Sequence, residues 1–149
     1  MILYRKDVGT LKEKLLILRL LQDFQKYIGF VLPHSRFIPE LLDLLRRTGT
    51  EEQFLLKFEY YLSILKDYGS SVIGPRGSPL EHLSGEQYLC SMRFPANCSN
   101  VRILFAYQND KVYLLLAFYE RQGHRNTEYT SYTGPANERL QDMLREEEE

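Results

Sequence analysis

QYLCSMRF (87–94), NVRILFAY (100–107) and KVYLLLAFYERQGHR (111–125) are three runs of aromatic, β-branched and other apolar residues separated by two turn signals, Pro95 to Asn100 and Gln108-Asn-Asp-Lys111. Short runs of that composition bounded by Pro, Asn and Asp predict β-strands, and connections this short predict an antiparallel meander. The third run is apolar at every position from Val112 to Phe118. Both its faces are therefore expected to be covered, which places it centrally in the sheet. Beyond it, Thr133-Gly134-Pro135 predicts the start of a terminal helix, with Ala136, Leu140 and Met143 on its inner side.

Upstream the period changes from two to 3.6. Thr10-Leu-Lys-Glu13 is a capping box, and Leu11, Leu15 and Leu18 with Leu16, Leu20 and Phe24 predict a helix over about 11–26 with a broad apolar face. YIGFVL (27–32), stopped by Pro33, predicts a short strand at the sheet edge. A second helix follows in RFIPELLDLLRR (36–47). The capping box Thr50-Glu-Glu-Gln53 opens a third, with Phe54, Phe58, Tyr61 and Leu65 inward and Gly69 as its stop. The Gly-, Ser- and Pro-rich stretch 70–85 is expected to be an ordered connector without regular structure. The expected fold class is α+β: a small antiparallel sheet of about four strands, mixed at its edge, packed on N-terminal helices and closed by a C-terminal helix.

The 149 residues suit a single domain, and 44% hydrophobic with 26% charged residues is an ordinary globular balance. No stretch approaches the roughly 18 uninterrupted apolar residues of a membrane span. The first residues lack a signal peptide's apolar core, and Cys90 and Cys98 fit no metal-ligand spacing, so the expectation is a cytoplasmic protein with reduced thiols. The net charge of −1 conceals an asymmetry. Residues 1–50 carry nine Lys and Arg against five Asp and Glu, whereas 141–149 holds Arg145 against five acids and reads as a solvated, fraying tail.

Strand parity separates structural from functional candidates. Alternation assigns Tyr88, Cys90, Met92 and Phe94, then Val101, Ile103, Phe105 and Tyr107, then Val112, Leu114, Leu116 and Phe118 to the face that packs on the helices. The opposite face receives Arg93, Arg102 and Arg121, one arginine from each strand, and no acid in the strands shares their parity. Three converging cations without internal acids point to an external polyanion. His124, Arg125, Tyr129 and Tyr132, read as a loop beside them, supply candidate proton-transfer and base-stacking groups.

LKDYGSSVIGPRGSPLEHLSGEQYLCSMRF (65–94), NVRILFAY, VYLLLAFYER (112–121) and the Ala-x-x-Arg-Leu of Ala136, Arg139 and Leu140 together resemble the RelE/HigB-type toxins of bacterial type II toxin–antitoxin modules, phage-derived relatives included. The likeness runs from about Tyr61 to Leu140, and FVLPHSRFIPELLDLLRR (30–47) stands where the family has its first strand and helix. That makes 27–140 the core, 1–26 a helical extension and 141–149 an acidic tail. The resemblance implies an endoribonuclease that cleaves mRNA, free or on the ribosome, without metal or other cofactor, neutralised by a cognate helix-turn-helix antitoxin. On that template Arg102, Arg121 and Tyr132 are the catalytic residues and Arg93 an RNA-binding one; from their place beside the arginines, His124 is a further candidate base or acid, and Arg125 and Tyr129 are further RNA-binding candidates. Where the family has paired lysines after the last strand, this chain has Glu120 and Arg121. A gyrase-binding, non-enzymatic toxin of the ParE type and a catalytically silent interaction module are the other readings of the same fold.

Overall fold

A computed structural model describes residues 11–94, 100–120 and 125–148, the side chains of 47–48 and 125–128 excepted. The elements run α1 (Leu11–Lys26), β1 (Val31–Pro33), α2 (Phe37–Thr48), α3 (Glu51–Tyr68), a 3₁₀ turn (Gly69–Val72), β2 (Leu80–His82), β3 (Leu89–Arg93), β4 (Val101–Gln108), β5 (Lys111–Tyr119) and α4 (Arg125–Glu148). Among the described residues no helix is long and apolar enough to cross a membrane.

The sheet has five strands in the order β1-β5-β4-β3-β2, with β1 parallel to β5 and every other pair antiparallel. The expected meander is β3-β4-β5; β5 is an interior strand paired on both sides, as its unbroken apolar run implies, while the middle strand is β4. Asn109 and Asp110 both take positive φ (56° and 58°) between the paired Gln108 and Lys111, so a two-residue turn of the twist-matching kind closes the β4–β5 hairpin. The fifth strand, β2, lies in the stretch expected to lack regular structure. Three residues are too few for alternation to register, and pairing with β3 is what makes them a strand: Leu80 faces Met92, Glu81 Ser91 and His82 Cys90.

Both sheet faces are covered. One carries Cys90, Met92, Phe94, Val101, Ile103, Phe105, Val112, Leu114 and Ala117 under α2 and α3, with α1 packed outside α3 through Leu16, Leu20 and Phe24. The other carries Leu89, Leu104, Ala106, Tyr113, Leu115, Leu116 and Phe118 under α4. Cys90 is a free thiol whose pKa burial pushes up to about 12, which makes it an inert core residue; Cys98 lies outside the described residues.

The parity assignment fails at one point in β5. Leu104 pairs with Leu116 and Phe105 with Leu114, so Leu115 is an extra residue in the ladder. Leu115 and Leu116 consequently both point toward α4, and every later side chain exchanges faces. Leu116 and Phe118 belong to the α4 face and Ala117 to the other. The carbonyl of the extra residue accepts a hydrogen bond from Arg139 Nη1 at 2.9 Å, and the same guanidinium grips Glu40 of α2 in a bidentate pair at 2.5 and 2.7 Å.

The terminal helix begins at Arg125, ten residues earlier than Pro135 predicted. A proline inside a helix forgoes its own N–H bond to the carbonyl four residues back, at a cost of about 3 kcal/mol. What offsets it is packing: Tyr129, Tyr132, Ala136 and Leu140 share one face, with Phe118 touching both tyrosine rings. The acidic end is the last turn of this helix and is docked, since Tyr113 donates its hydroxyl to the Glu147 carboxylate at 2.8–2.9 Å. The broad leucine face of α1 also resolves differently: Leu16 and Leu20 are buried, while Leu11, Leu15 and Leu18 are exposed. Thr10 lies outside the described residues, and the Thr50 side chain makes no capping bond to α3.

Two consequences can be measured. Replacing Arg139 with Met strips the bulge carbonyl and Glu40 of their donor, and a loss of about 2–4 kcal/mol in urea unfolding is expected. Asp23, buried between α1 and α3 beside Glu59, has its pKa raised from 3.8 to about 7 by desolvation and then by Glu59, against Arg19 and Lys26. A carboxyl that binds its proton more tightly when folded stabilises the fold below its unfolded pKa and loses that contribution as pH rises through the folded value. Stability should therefore fall between about pH 4 and 7, and Asp23→Asn should flatten that part of a thermal-melt pH profile.

Candidate functional site

Charge and open volume coincide at the end of the sheet where β3 finishes and β4 begins. Arg93 and Arg102 are direct register partners there. They line a hollow of about 220 Å³ together with Lys57 and Tyr61 of α3, Phe94, and Gly77 and Pro79 of the loop before β2. Phe94 forms the apolar floor, its ring centroid 4.3 Å from Phe54 and 5.4 Å from Tyr61. The Tyr61 hydroxyl donates to the Arg93 carbonyl at 2.6 Å, and Lys57 Nζ stands 5.5 Å from the centre of the Tyr61 ring. Three cations thus border a small cavity with an aromatic wall, an arrangement suited to one phosphate-sized anion.

The two arginines differ in how they are held. Arg102 is buried, donates Nη1 to the carbonyls of Phe94 (2.7 Å) and Val101 (3.0 Å), and pairs through Nε with Glu120. Glu120 is itself buried. Parity without the bulge put no acid on the arginine face; the extra residue at Leu115 turns Glu120 onto it, so the expectation of an arginine face free of acids is corrected. Arg93 is half-buried and makes a long 3.5 Å bond to the Gly77 carbonyl. It is the more available cation of the pair.

Of the other candidates, Arg121 and His124 lie outside the described residues, and Arg125 is the first residue of α4. Tyr129 is buried inside that helix, with its hydroxyl 2.7 Å from Ser91 Oγ and its ring edge-on to Phe118 at 5.3 Å. Tyr132 stacks on Phe118 at 4.4 Å and 17°. Neither borders the cationic hollow. Their expected place in a loop beside the arginines is corrected: both are core-facing helical residues, because the apolar sheet face beneath α4 needs covering.

The sequence does not mark Lys57 and Tyr61 as site residues, because Tyr61 falls on the apolar stripe of α3 and reads as core. Their i, i+4 spacing did carry the information that they share one face of α3. Among the described residues no group of three or more His, Cys, Asp or Glu is placed to hold a metal ion. No protein-family model, curated protein or solved structure matches the chain.

The buried ion pair makes a sharp prediction. Glu120→Ala leaves the Arg102 guanidinium buried and uncompensated, and should cost about 3–5 kcal/mol by denaturant unfolding. Combining it with Arg102→Met should recover most of that loss, a non-additivity read by a double-mutant cycle.

Proposed function

We propose that the chain is a toxin of the RelE/HigB type, an endoribonuclease that binds an RNA phosphate in the hollow of Lys57, Arg93 and Arg102. The observation that carries this reading is the meeting of those cations around an open cavity. The order of elements gives secondary support: a first strand parallel to the last, helices between them and the meander, and a closing helix.

Cleavage without a metal needs a base, an acid and cations. The 2′-oxygen forms a bond to phosphorus while the bond to the 5′-oxygen breaks, leaving a 2′,3′-cyclic phosphate and a 5′-hydroxyl. The proton of the 2′-hydroxyl goes to a base, the 5′-oxygen takes one from an acid, and cations hold the charge on the phosphorane. Arg93 and Lys57 supply that charge. Arg102 contributes through Nη2, the nitrogen not engaged with Glu120, Phe94 or Val101. With Tyr129 and Tyr132 packed on Phe118, both proton transfers fall to His124, which takes the proton of the 2′-hydroxyl as base and returns it to the 5′-oxygen as acid, a double role suited to an imidazole. The partner that silences the protein is a cognate antitoxin.

One observation favours a second reading. Glu120 neutralises Arg102, and an interaction module that kept the fold without catalysis would carry such a pair. The test is induction of the wild type in a host lacking the antitoxin, followed by mapping of RNA ends. Growth arrest with 2′,3′-cyclic phosphate ends is expected, reduced at least about a hundredfold in Arg93→Ala and His124→Gln, each an electrostatic or proton-transfer loss. Harmless expression with intact RNA would leave the silent module standing, and arrest with intact RNA but damaged DNA the gyrase-binding toxin.

A further inference from the structure

Beside the cationic hollow, α3 presents an aromatic ring that the core does not use. Phe54, Phe58, Tyr61 and Leu65 form the buried stripe of that helix, whereas Tyr60 is 54% exposed. The ring is nonetheless tied to the hollow. Lys57, three residues earlier, stands with Nζ 5.6 Å from the centre of the Tyr60 ring and 5.5 Å from that of Tyr61, and the two rings are 6.0 Å apart. Lys57 and Tyr61 both line the hollow, and the Tyr61 hydroxyl reaches the Arg93 carbonyl. The aromatic wall of the cavity thus continues past one ammonium onto an open ring at the surface. Among the described residues no acid pairs with Lys57 or Arg93.

We infer that Tyr60 is a stacking platform for one base of single-stranded RNA, next to the phosphate held in the hollow. A phosphate and the base beside it are joined by a single sugar. A strand that offers its phosphate to Lys57 Nζ therefore carries a base within reach of a ring 5.6 Å away. Only an unpaired strand leaves a base face free for that contact, so the platform selects single-stranded over duplex RNA. Every base has a π-face, and the ring accordingly fixes where the strand lies rather than which sequence is bound. Leu56, one turn earlier, is also exposed (59%), which makes a protein the competing occupant of this part of α3. The cations without acid partners beside Tyr60 favour the polyanion.

The inference rests on the reading of the hollow as an RNA phosphate site, and the experiment separates the platform from cleavage. The probes are a short deoxyadenosine strand, which has no 2′-hydroxyl and binds without being cut, and the same backbone with abasic sugars; binding is followed by fluorescence anisotropy at low salt. Tyr60→Ala should weaken the base-bearing strand about five- to a hundredfold and leave the abasic strand unchanged. Tyr60→Phe should keep both, and Arg93→Ala should weaken both. The chain has no tryptophan, so Tyr60→Trp installs a single reporter whose emission the adenine strand should quench and the abasic strand should not. Strand binding indifferent to Tyr60, as a protein-docking face predicts, an equal loss on both strands in Tyr60→Ala, an unquenched reporter, or no binding of either strand overturns the platform. Cleavage of an all-RNA strand is read separately: with the platform overturned and RNA still cut, the nuclease reading stands. Base-dependent binding lost in Tyr60→Ala, with RNA uncut, supports the platform and overturns the nuclease.

Discussion

One extra residue in β5 organises this molecule. A bulge at Leu115 turns two consecutive leucines to the same side, and together they widen the apolar area that α4 must cover. The kink would leave a buried carbonyl out of the ladder, and Arg139 donates to it while gripping Glu40. Downstream of the bulge the side chains of β5 have changed faces, and Glu120 lies against Arg102. Sheet covering, helix docking and the electrostatics of the site thus share one local irregularity.

That irregularity also sets the character of the cationic hollow. A guanidinium buried at the end of a sheet is tolerated only when paired and hydrogen-bonded, because the desolvation of an isolated charge is far larger than any single contact returns. Arg102 meets the condition through Glu120 and two carbonyls, and so becomes a fixed wall of the cavity. Arg93, at the strand end, and Lys57, on α3, keep more freedom to meet a ligand. A rigid cation beside two adaptable ones gives an anion site both position and reach.

Much of this architecture was legible in the chain. The helices over 11–26 and 51–68 follow from long 3.6-period stripes, and the meander from runs of β-formers between turn residues. The Asn109-Asp110 turn is written in its residues, since both tolerate positive φ. The candidate site was partly legible: Arg93 and Arg102 meet as parity indicated. Lys57 and Tyr61, which complete the hollow, come from a helix whose face is brought there by tertiary packing, and no local pattern reports that approach.

The sequence by itself determined the α+β class, the interior position of β5 and the placement of cations near the ends of neighbouring strands, because periodicity and turn chemistry act within a few residues. Only the tertiary structure decided what those cations meet. A bulge changes parity without any compositional mark, a three-residue strand such as β2 exists only through its partner, and Tyr129 and Tyr132 enter a helix through contact with Phe118 despite Pro135. Each is a long-range contact overriding a local preference of a few kcal/mol at most.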